Sequence, residues 1–337
     1  IIMKPDSKKL HEDKKDFFQL LIPANYLFLH PGNSIGKMKA KGTVFGIVSA
    51  VSYGINPLCA LLLYEVGVNV DSVLFYRYVL AAVILGLMMM AKGISFGVNK
   101  TELASLAVLG VLFAISSLSL FSSFHYMDAG IASTILFVYP VMVAVVMAVF
   151  FKEKVSLLVV FSILLAFTGI ALLCQGDGGH ALSMIGILLV MLSSLTYAVY
   201  IVTVNRSVLK TMSPIKLTFY VLLFCALTII VHSDFGSGLQ MLTTPYMWGI
   251  AIALAIIPTV ISLVTMALSV HYIGSTPTAI LGALEPVTAV TIGVTVFGEH
   301  LTPRLIVGMF LVIVAVTLIV VGKSVQQLVL RRVFHRY

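Results

Sequence analysis

The sequence predicts an all-α integral membrane protein whose ten transmembrane helices form two inverted five-helix repeats. Three observations lead to this fold class. Of the 337 residues, 60% are hydrophobic and only 10% are charged, which leaves too few charges to cover a water-soluble surface. The apolar residues fall into ten runs of membrane-spanning length, and the second half of the chain repeats the pattern of the first.

The apolar runs are long enough to cross a hydrocarbon core, which takes about 20 helical residues. They are helices, because a lone helix satisfies its own backbone hydrogen bonds in lipid and the short alternating segments of a membrane barrel are missing. Short connections rich in Gly, Asp, Asn, Ser and Pro separate them. The predicted spans are residues 42–63, 72–91, 103–124, 130–150, 156–174, 182–204, 214–232, 246–269, 276–297 and 302–322.

The two halves share a register. At an offset of 146 positions, six residues recur in the same order, namely His125, Tyr126, Pro140, Val141, Phe151 and Glu153 as His271, Tyr272, Pro286, Val287, Phe297 and Glu299. The early spans agree at an offset of 144, where Gly42, Ser49, Tyr53, Phe75 and Tyr76 recur as Gly186, Ser193, Tyr197, Phe219 and Tyr220. Each half carries five spans, an odd number, so the second half is inserted upside down. Inverted repeats of this kind are typical of alternating-access transporters.

The basic residues predict the orientation in the membrane. With an interior N-terminus, 19 of the 21 Lys and Arg residues fall on the interior side; Arg304 lies in an exterior loop and Arg77 within a span. By the positive-inside rule, we expect a multi-pass plasma (inner) membrane protein with both termini in the cytoplasm. A nucleic-acid partner is not expected, because no basic patch is interleaved with aromatic residues.

The domain organisation follows from the spans. We expect residues 1–41 to be a cytoplasmic N-terminal extension, 42–174 and 182–322 to be the two repeats, and 323–337 to be a basic cytoplasmic tail. The apolar stretch at residues 17–29 is too short to span a bilayer. It is either an interfacial helix or, as we favour, part of a segment that precedes the natural start at Met38 and does not belong to the native protein.

Each five-span unit has a proline in its fourth span and a Glu just after that span. The sequence pieces that carry this pattern are FYRYVLAAVIL (75–85), HYMDAGIASTILFVYPV (125–141), FFKEKVS (150–156), ALEPVTA (283–289) and FGEHLT (297–302). Together they resemble the EamA-type permeases of the drug/metabolite transporter (DMT) superfamily, over about residues 42–322. The resemblance implies a ten-helix permease, often an exporter of amino acids or other small metabolites, with a central cavity between the halves.

The two halves also differ. Tyr139 precedes the first proline where Glu285 precedes the second, and Val221 stands where Arg77 would recur. Glu285 lies about 14 Å into the ninth span, near the midplane, where a charge costs from about 2.5 to over 10 kcal/mol unless it is paired, protonated or hydrated. We interpret it as a proton-coupling carboxylate or the acceptor of a substrate ammonium; a structural ion pair is the alternative. Arg77 either pairs with Glu285 or extends outward toward Asp71.

Further candidates are polar residues within the spans. A small-molecule site needs an apolar pocket with a few placed polar groups, and the aromatic and amide candidates for it are Tyr53, Asn56, Tyr139 and Tyr197. Hydroxyl candidates for the same pathway are Ser116, Thr259 and Ser262, with close helix packing as the alternative. Pro140 and Pro286 are expected to kink their helices and act as hinges. Glu153 and Glu299 are expected to cap the first turns of the fifth and tenth spans.

The inverted repeats predict a secondary transporter, and the resemblance implies that it exports small metabolites, above all amino acids or related neutral or zwitterionic compounds. The alternatives are a membrane enzyme or lipid-processing protein, a channel, and a metabolite uptake permease. We expect no enzymatic activity, cofactor or metal, because the chain lacks a phosphate-binding GxxxxGK[ST] motif and ligand-like spacing of its cysteines and histidines. The expected partners are a small-molecule substrate, the lipid bilayer and protons, while the oligomeric state stays open.

Overall fold

The computed structural model describes residues 31–152, 157–174, 183–299 and 302–334, and every regular element in these ranges is helical. Nine of the described helices are long and apolar enough to cross a membrane, and Leu157–Leu173 is a shorter apolar helix. The predicted fold class of ten helical spans in two repeats is confirmed. Most of the predicted N-terminal extension lies outside the described residues, and the helix of the first span already begins at Pro31.

The first half contains two interrupted spans. The first span consists of Pro31–Gly54 and Asn56–Glu65, and the fourth consists of Ala129–Leu136 and Tyr139–Phe151. The second, third and fifth spans are Val70–Ala91, Lys100–Ser123 and Leu157–Cys174. Proline stands in the first turn after each interruption, where its missing N–H costs no intrahelical hydrogen bond.

The second half also contains two interrupted spans. The eighth runs as Pro245–Ala255, a π-helical turn at Ile256–Ile261 and Ser262–Ile273, and the ninth as Ser275–Leu281 and Leu284–Phe297. The continuous spans are the sixth, Met184–Arg206, the seventh, Pro214–His232, and the tenth. The tenth-span helix, Pro303–Phe334, continues through most of the stretch predicted as a tail. A short 3₁₀ helix, Val208–Thr211, follows the sixth span.

Loop side chains cap the N-termini of several of these helices. The Asn69 side chain accepts a hydrogen bond from the Ser72 amide at 2.9 Å, and the Thr244 hydroxyl accepts one from the Met247 amide at 3.2 Å. Such caps satisfy amide groups that have no partner within the helix. Most of the described helix ends lie within a few residues of the predicted span boundaries.

The two halves interdigitate. Extensive helix contacts between the halves join the fifth span with the tenth, the first with the eighth, the third with the sixth, the second with the seventh and the fourth with the ninth. Replacing every span by its counterpart five places along the chain returns the same set of pairs. The packing thus has the pseudo-twofold symmetry that an inverted repeat requires, and the interrupted first, fourth and ninth spans meet near its centre.

Candidate functional site

The interruptions in the first and ninth spans lie against each other. A Cβ atom added to Gly54 would lie 2.7 Å from the carbonyl oxygen of Glu285 and 2.6 Å from the Cβ of Thr288. These distances are too short for any side chain, so a glycine is required for the two backbones to approach this closely. The close approach brings Tyr53 and Asn56, on either side of the first break, beside Glu285.

A small cavity lies at this junction. Its volume is about 30 Å³, enough for a water molecule or a group of similar size. Its polar lining comes from both halves and consists of Tyr53, Asn56, Ser133 and Glu285. Apolar side chains complete the walls, among them Leu136 and Pro286. Four of the sequence-predicted site residues therefore share one cavity, and Ser133 is a polar member that the sequence did not single out.

The Glu285 carboxylate has no protein partner in the described part of the chain. None of its described neighbours donates a hydrogen bond to it, in contrast to Asp71, whose carboxylate lies 3.0 Å from the His232 ring nitrogen. The carboxylate is partly buried and faces the cavity. An unpaired carboxylate at this depth is costly, so a cation, a proton or water must meet it.

Asn56 contributes a second acceptor without a donor. The residue is 4% exposed, and its Oδ1 atom has no hydrogen-bond partner among the described residues. Buried polar atoms in folded proteins are nearly always hydrogen-bonded. The cavity therefore presents a carboxylate and an amide oxygen whose hydrogen-bonding capacity the protein itself leaves unused.

Arg77 lies nearby but is held by other groups. It is 3% exposed, and its Nε donates a hydrogen bond to the Thr259 hydroxyl at 3.1 Å. Its guanidinium also lies 5.5 Å from the ring centre of Phe121 and 5.7 Å from that of Tyr78, within the range of cation–π attraction. Among the described residues it forms no ion pair, so neither sequence-based alternative for Arg77, a bridge to Glu285 or an extension to Asp71, is found.

The π-helical turn in the eighth span positions the partner of Arg77. Pro258 lies within this turn and cannot donate to the helical hydrogen-bond ladder, which favours a local widening of the helix. The Thr259 hydroxyl donates to the carbonyl of Leu254 at 3.2 Å while it accepts from Arg77. Single π-turns occur frequently at functional sites. The sequence segment IIPTVI could have signalled this irregularity.

Tyr53 connects the arginine to the cavity. Its hydroxyl lies beside the Arg77 guanidinium and interacts electrostatically with both Arg77 and Glu285. The side chain also lines the cavity. Tyr53 therefore lies between the Arg77–Thr259 hydrogen bond and the Glu285 carboxylate.

A cluster of tyrosines adjoins the cavity without lining it. The rings of Tyr139 and Tyr197 meet edge to face with centroids 4.8 Å apart, and Tyr197 stacks on Tyr200 at 5.8 Å. Phe113 contacts both Tyr197 and Tyr200. Tyr139 and Tyr197 also interact electrostatically with Glu285. Two sequence-predicted tyrosines are thus close to the acidic centre, and Phe113 and Tyr200 extend the aromatic wall beyond the prediction.

Two of the hydroxyl candidates join spans from opposite halves. The Ser262 and Ser49 hydroxyls are 3.4 Å apart, and the Ser116 and Ser193 hydroxyls are 3.0 Å apart. The repeat relates these two pairs, since Ser193 is the counterpart of Ser49 and Ser262 that of Ser116. Neither Ser116 nor Ser262 is among the described residues that line the cavity. Their contacts are those of closely packed helices.

The two span prolines occupy equivalent places. Pro140 lies in the first turn of Tyr139–Phe151, directly after the break at residues 137–138. Pro286 lies in the first turn of Leu284–Phe297, after the break at residues 282–283, and its side chain lines the cavity. Both breaks are therefore adjacent to the acidic centre.

Glu299 has a different role from the expected one. The prediction that it caps the tenth span is wrong, because that helix is capped by Thr302, whose hydroxyl accepts from the Leu305 amide at 3.3 Å. The Glu299 carboxylate instead accepts hydrogen bonds from the amides of Ala129 and Gly130 at the start of the fourth span. Its counterpart Glu153 lies outside the described residues.

The described side chains include no group of three or more His, Cys, Asp or Glu residues that could hold a metal ion. Two repeats with a polar cavity at their junction are an organisation typical of membrane transporters. The sequence profile of the EamA-like transporter family matches residues 40–175 and 184–321. The chain therefore belongs to the EamA-like transporter family.

Relatives of known sequence agree with this assignment. A Bacillus subtilis protein described as the uncharacterized transporter YcbK is 25% identical over 273 residues, which cover 78% of this chain and 87% of the relative. The uncharacterized transporter YxxF of the same organism is 24% identical over 268 residues, covering 77% and 83%. A solved structure described only as a crystal structure of a protein has a TM-score of 0.60 at 17% identity, covers 83% of this chain and 96% of its own, and resembles it in fold alone.

Proposed function

We propose that this protein is a secondary transporter that exports small neutral or zwitterionic metabolites, above all amino acids, by alternating access between its two repeats. The observation that carries the proposal is the unpaired Glu285 carboxylate in a small cavity at the junction of the halves. A site of this kind, near the membrane midplane and lined from both repeats, is where secondary transporters bind their substrates.

The size of the cavity supports a conformational cycle. At about 30 Å³ it is far smaller than the roughly 300 Å³ at which pockets for small molecules begin. A whole amino acid cannot enter unless the surrounding spans move apart. The interrupted first, fourth and ninth spans are the elements that would move, with the backbone breaks next to Pro140 and Pro286 as hinges.

The proposal assigns distinct roles to the neighbouring residues. Glu285, Asn56 and Tyr53 contact the substrate or a coupled proton, and Tyr139 and Tyr197 provide the apolar surface beside them. Arg77 and Thr259 hold Tyr53 in place from the eighth-span side. Ser116 and Ser262 keep the spans of the two halves in register. Proton coupling through Glu285 would drive export against a gradient.

The proposed setting is the plasma (inner) membrane with both termini in the cytoplasm. It rests on the distribution of the basic residues along the sequence,. Export rests on the resemblance to EamA-type permeases. Uptake would use the same cavity with the opposite direction of net transport.

The test is flux in proteoliposomes loaded with a panel of radiolabelled amino acids and other small metabolites, with and without a pH gradient. Wild-type protein is compared with Glu285→Gln and with the control Glu102→Gln, which alters a carboxylate at the start of the third span, outside the cavity. We expect the wild type and Glu102→Gln to transport at least one compound class in a pH-dependent way. In Glu285→Gln we expect this flux to be lower by about tenfold or more, and independent of pH. No flux of any compound in the wild type would contradict the proposal.

A further inference from the structure

The two unpaired acceptors in the cavity define what kind of chemical group it can bind. Asn56 Oδ1 and the Glu285 carboxylate line the same cavity, and neither receives a hydrogen bond from a described residue. Both need donors, and leaving them unpaired is unfavourable. A ligand group for this site must therefore carry several N–H or O–H donors.

The charge of the site also restricts which ligand group can bind. Glu285 is the charged side chain among the described residues that line the cavity. Arg77, the nearby cation, is directed to Thr259 and to the rings of Phe121 and Tyr78, and it does not line the cavity. When Glu285 is ionised, the lining therefore carries a negative charge, and the nearest cation, Arg77, lies behind Tyr53. A cationic group is attracted to it, whereas a carboxylate or phosphate is repelled.

The size of the cavity further restricts which ligand group can bind. A volume of about 30 Å³ accommodates one small group and excludes a guanidinium or a ring. A primary ammonium has the size of a water molecule, a full positive charge and three N–H donors. Its donors can satisfy Asn56 Oδ1 and Glu285 together, and the remaining lining hydroxyls, Tyr53 and Ser133, can accept or donate around it.

We propose that Asn56 and Glu285 form an ammonium subsite, and that the transported compounds are protonated amines for which a free carboxylate is not required. This inference rests on the proposed transport function and specifies its substrate class. The rest of the substrate lies outside the subsite, where the edge-to-face pair of Tyr139 and Tyr197 offers an apolar wall. An amino acid is then bound as an amine, and its carboxylate contributes no essential contact.

Matched ligands test this inference on the purified full-length protein in detergent, by isothermal titration calorimetry. The probes are leucine and phenylalanine, their amides, which keep the ammonium and lose the carboxylate charge, and their N-acetyl derivatives, which keep the carboxylate and lose the ammonium. We expect the amides to bind at least as tightly as the amino acids, and the N-acetyl compounds at least tenfold more weakly. Equal or tighter binding of the N-acetyl compounds overturns the inference, as does no binding of the amines at millimolar concentration.

A variant pair separates binding from folding. Asn56→Leu removes the unpaired amide oxygen at similar volume, so we expect an unchanged or higher melting temperature and at least tenfold weaker binding of the amides. The control Cys59→Ala removes a buried side chain from the same helical segment, and we expect a lower melting temperature with amide affinity retained. Unchanged amide affinity in Asn56→Leu overturns the inference.

Flux data distinguish the failure of this inference from that of the transport function. Transport of N-acetyl compounds or other anions by the wild type, undiminished in Asn56→Leu, would preserve the proposed function and reject the ammonium subsite. Complete absence of flux would reject the function itself.

Discussion

The carboxylate of Glu299 accepts a hydrogen bond from the backbone amide of Ala129 at 2.9 Å, and its second oxygen accepts one from the next amide at 3.3 Å. Glu299 follows the ninth span, whereas Ala129 begins the fourth, so this contact joins the two repeats. It lies on the face that the sequence predicts to be exterior. A negative charge at a helix start is favourable because unpaired amides and the helix dipole meet it there.

Titration of Glu299 predicts a pH dependence of stability. Burial and the neighbouring Asp128 raise the pKa of Glu299 from 4.5 to about 6, against the effect of its two amide donors. A raised carboxyl pKa means that the folded protein keeps a proton that the unfolded chain releases. The resulting stabilisation is fully present below pH 4.5 and is lost as the pH rises through 6.

We expect the melting temperature of the wild type, measured relative to Glu299→Gln, to fall between pH 4.5 and about 6.5, since the variant has no titrating group at this position. Thermal unfolding of both proteins in detergent across this range is the measurement. A constant difference between the two proteins would show that Glu299 does not titrate in this environment.

Gly293 provides the space for the Glu299 side chain. A Cβ atom at this position would lie 2.0 Å from a carboxylate oxygen of Glu299, so Gly293→Ala must displace the carboxylate. We expect Gly293→Ala to lower the free energy of unfolding by about 1–3 kcal/mol. The matched control is Gly249→Ala in the eighth span, where a Cβ would meet nothing within 4 Å. The control should be neutral or stabilising by up to about 1 kcal/mol, and an equal loss in both variants would argue against the contact.

The hydrogen bond between Arg77 and Thr259 predicts an energetic coupling. Lysine lacks the Nε donor and the planar guanidinium that faces the rings, so Arg77→Lys should lower the free energy of unfolding by about 1–3 kcal/mol. A double-mutant cycle with Thr259→Val should give a coupling of about 0.5–2 kcal/mol. Thr265→Val is the control, because that hydroxyl bonds a carbonyl of its own helix at 2.7 Å. Coupling of Arg77 to Thr265 as strong as to Thr259 would refute the assignment.

The two serine pairs predict similar losses of stability. Ser49 donates to the carbonyl of Ser262 at 2.9 Å, and Ser116 donates to that of Ser193 at 3.0 Å. Ser49 and Ser116 are not counterparts in the repeat, but each hydroxyl donates to a carbonyl across the boundary between the halves, so we expect Ser49→Ala and Ser116→Ala each to cost about 0.5–1 kcal/mol. Ser162→Ala, whose hydroxyl bonds its own helix, should cost less. A lower free energy of unfolding in only one of the two variants would contradict this prediction.

The sequence predicted the spans well because the thickness of the bilayer dictates their length. The seventh span, for example, is predicted at residues 214–232 and observed as Pro214–His232. The register of the repeats also predicted the equivalent breaks before Pro140 and Pro286. Both inferences depend on local length and spacing, which a single sequence contains.

The sequence could not predict which way the side chains point. These helices are apolar on the lipid side and on the core side, so their periodicity does not separate the two. The break after Gly54 and the π-turn at Pro258 decide that Tyr53 and Asn56 meet Glu285 and that Arg77 meets Thr259. Glu299 was misassigned because its partners are 170 and 169 residues away in the chain.

Access to Ser133 from the two membrane faces tests the central claim of alternating access most directly. Ser133 lines the cavity and is nearly the size of cysteine, so Ser133→Cys, with Cys59, Cys174 and Cys225 replaced, places one thiol in the site. Right-side-out and inside-out vesicles are treated with a membrane-impermeant thiol reagent. The account predicts modification from both faces, slowed by a transported compound. Modification from one face alone would contradict it.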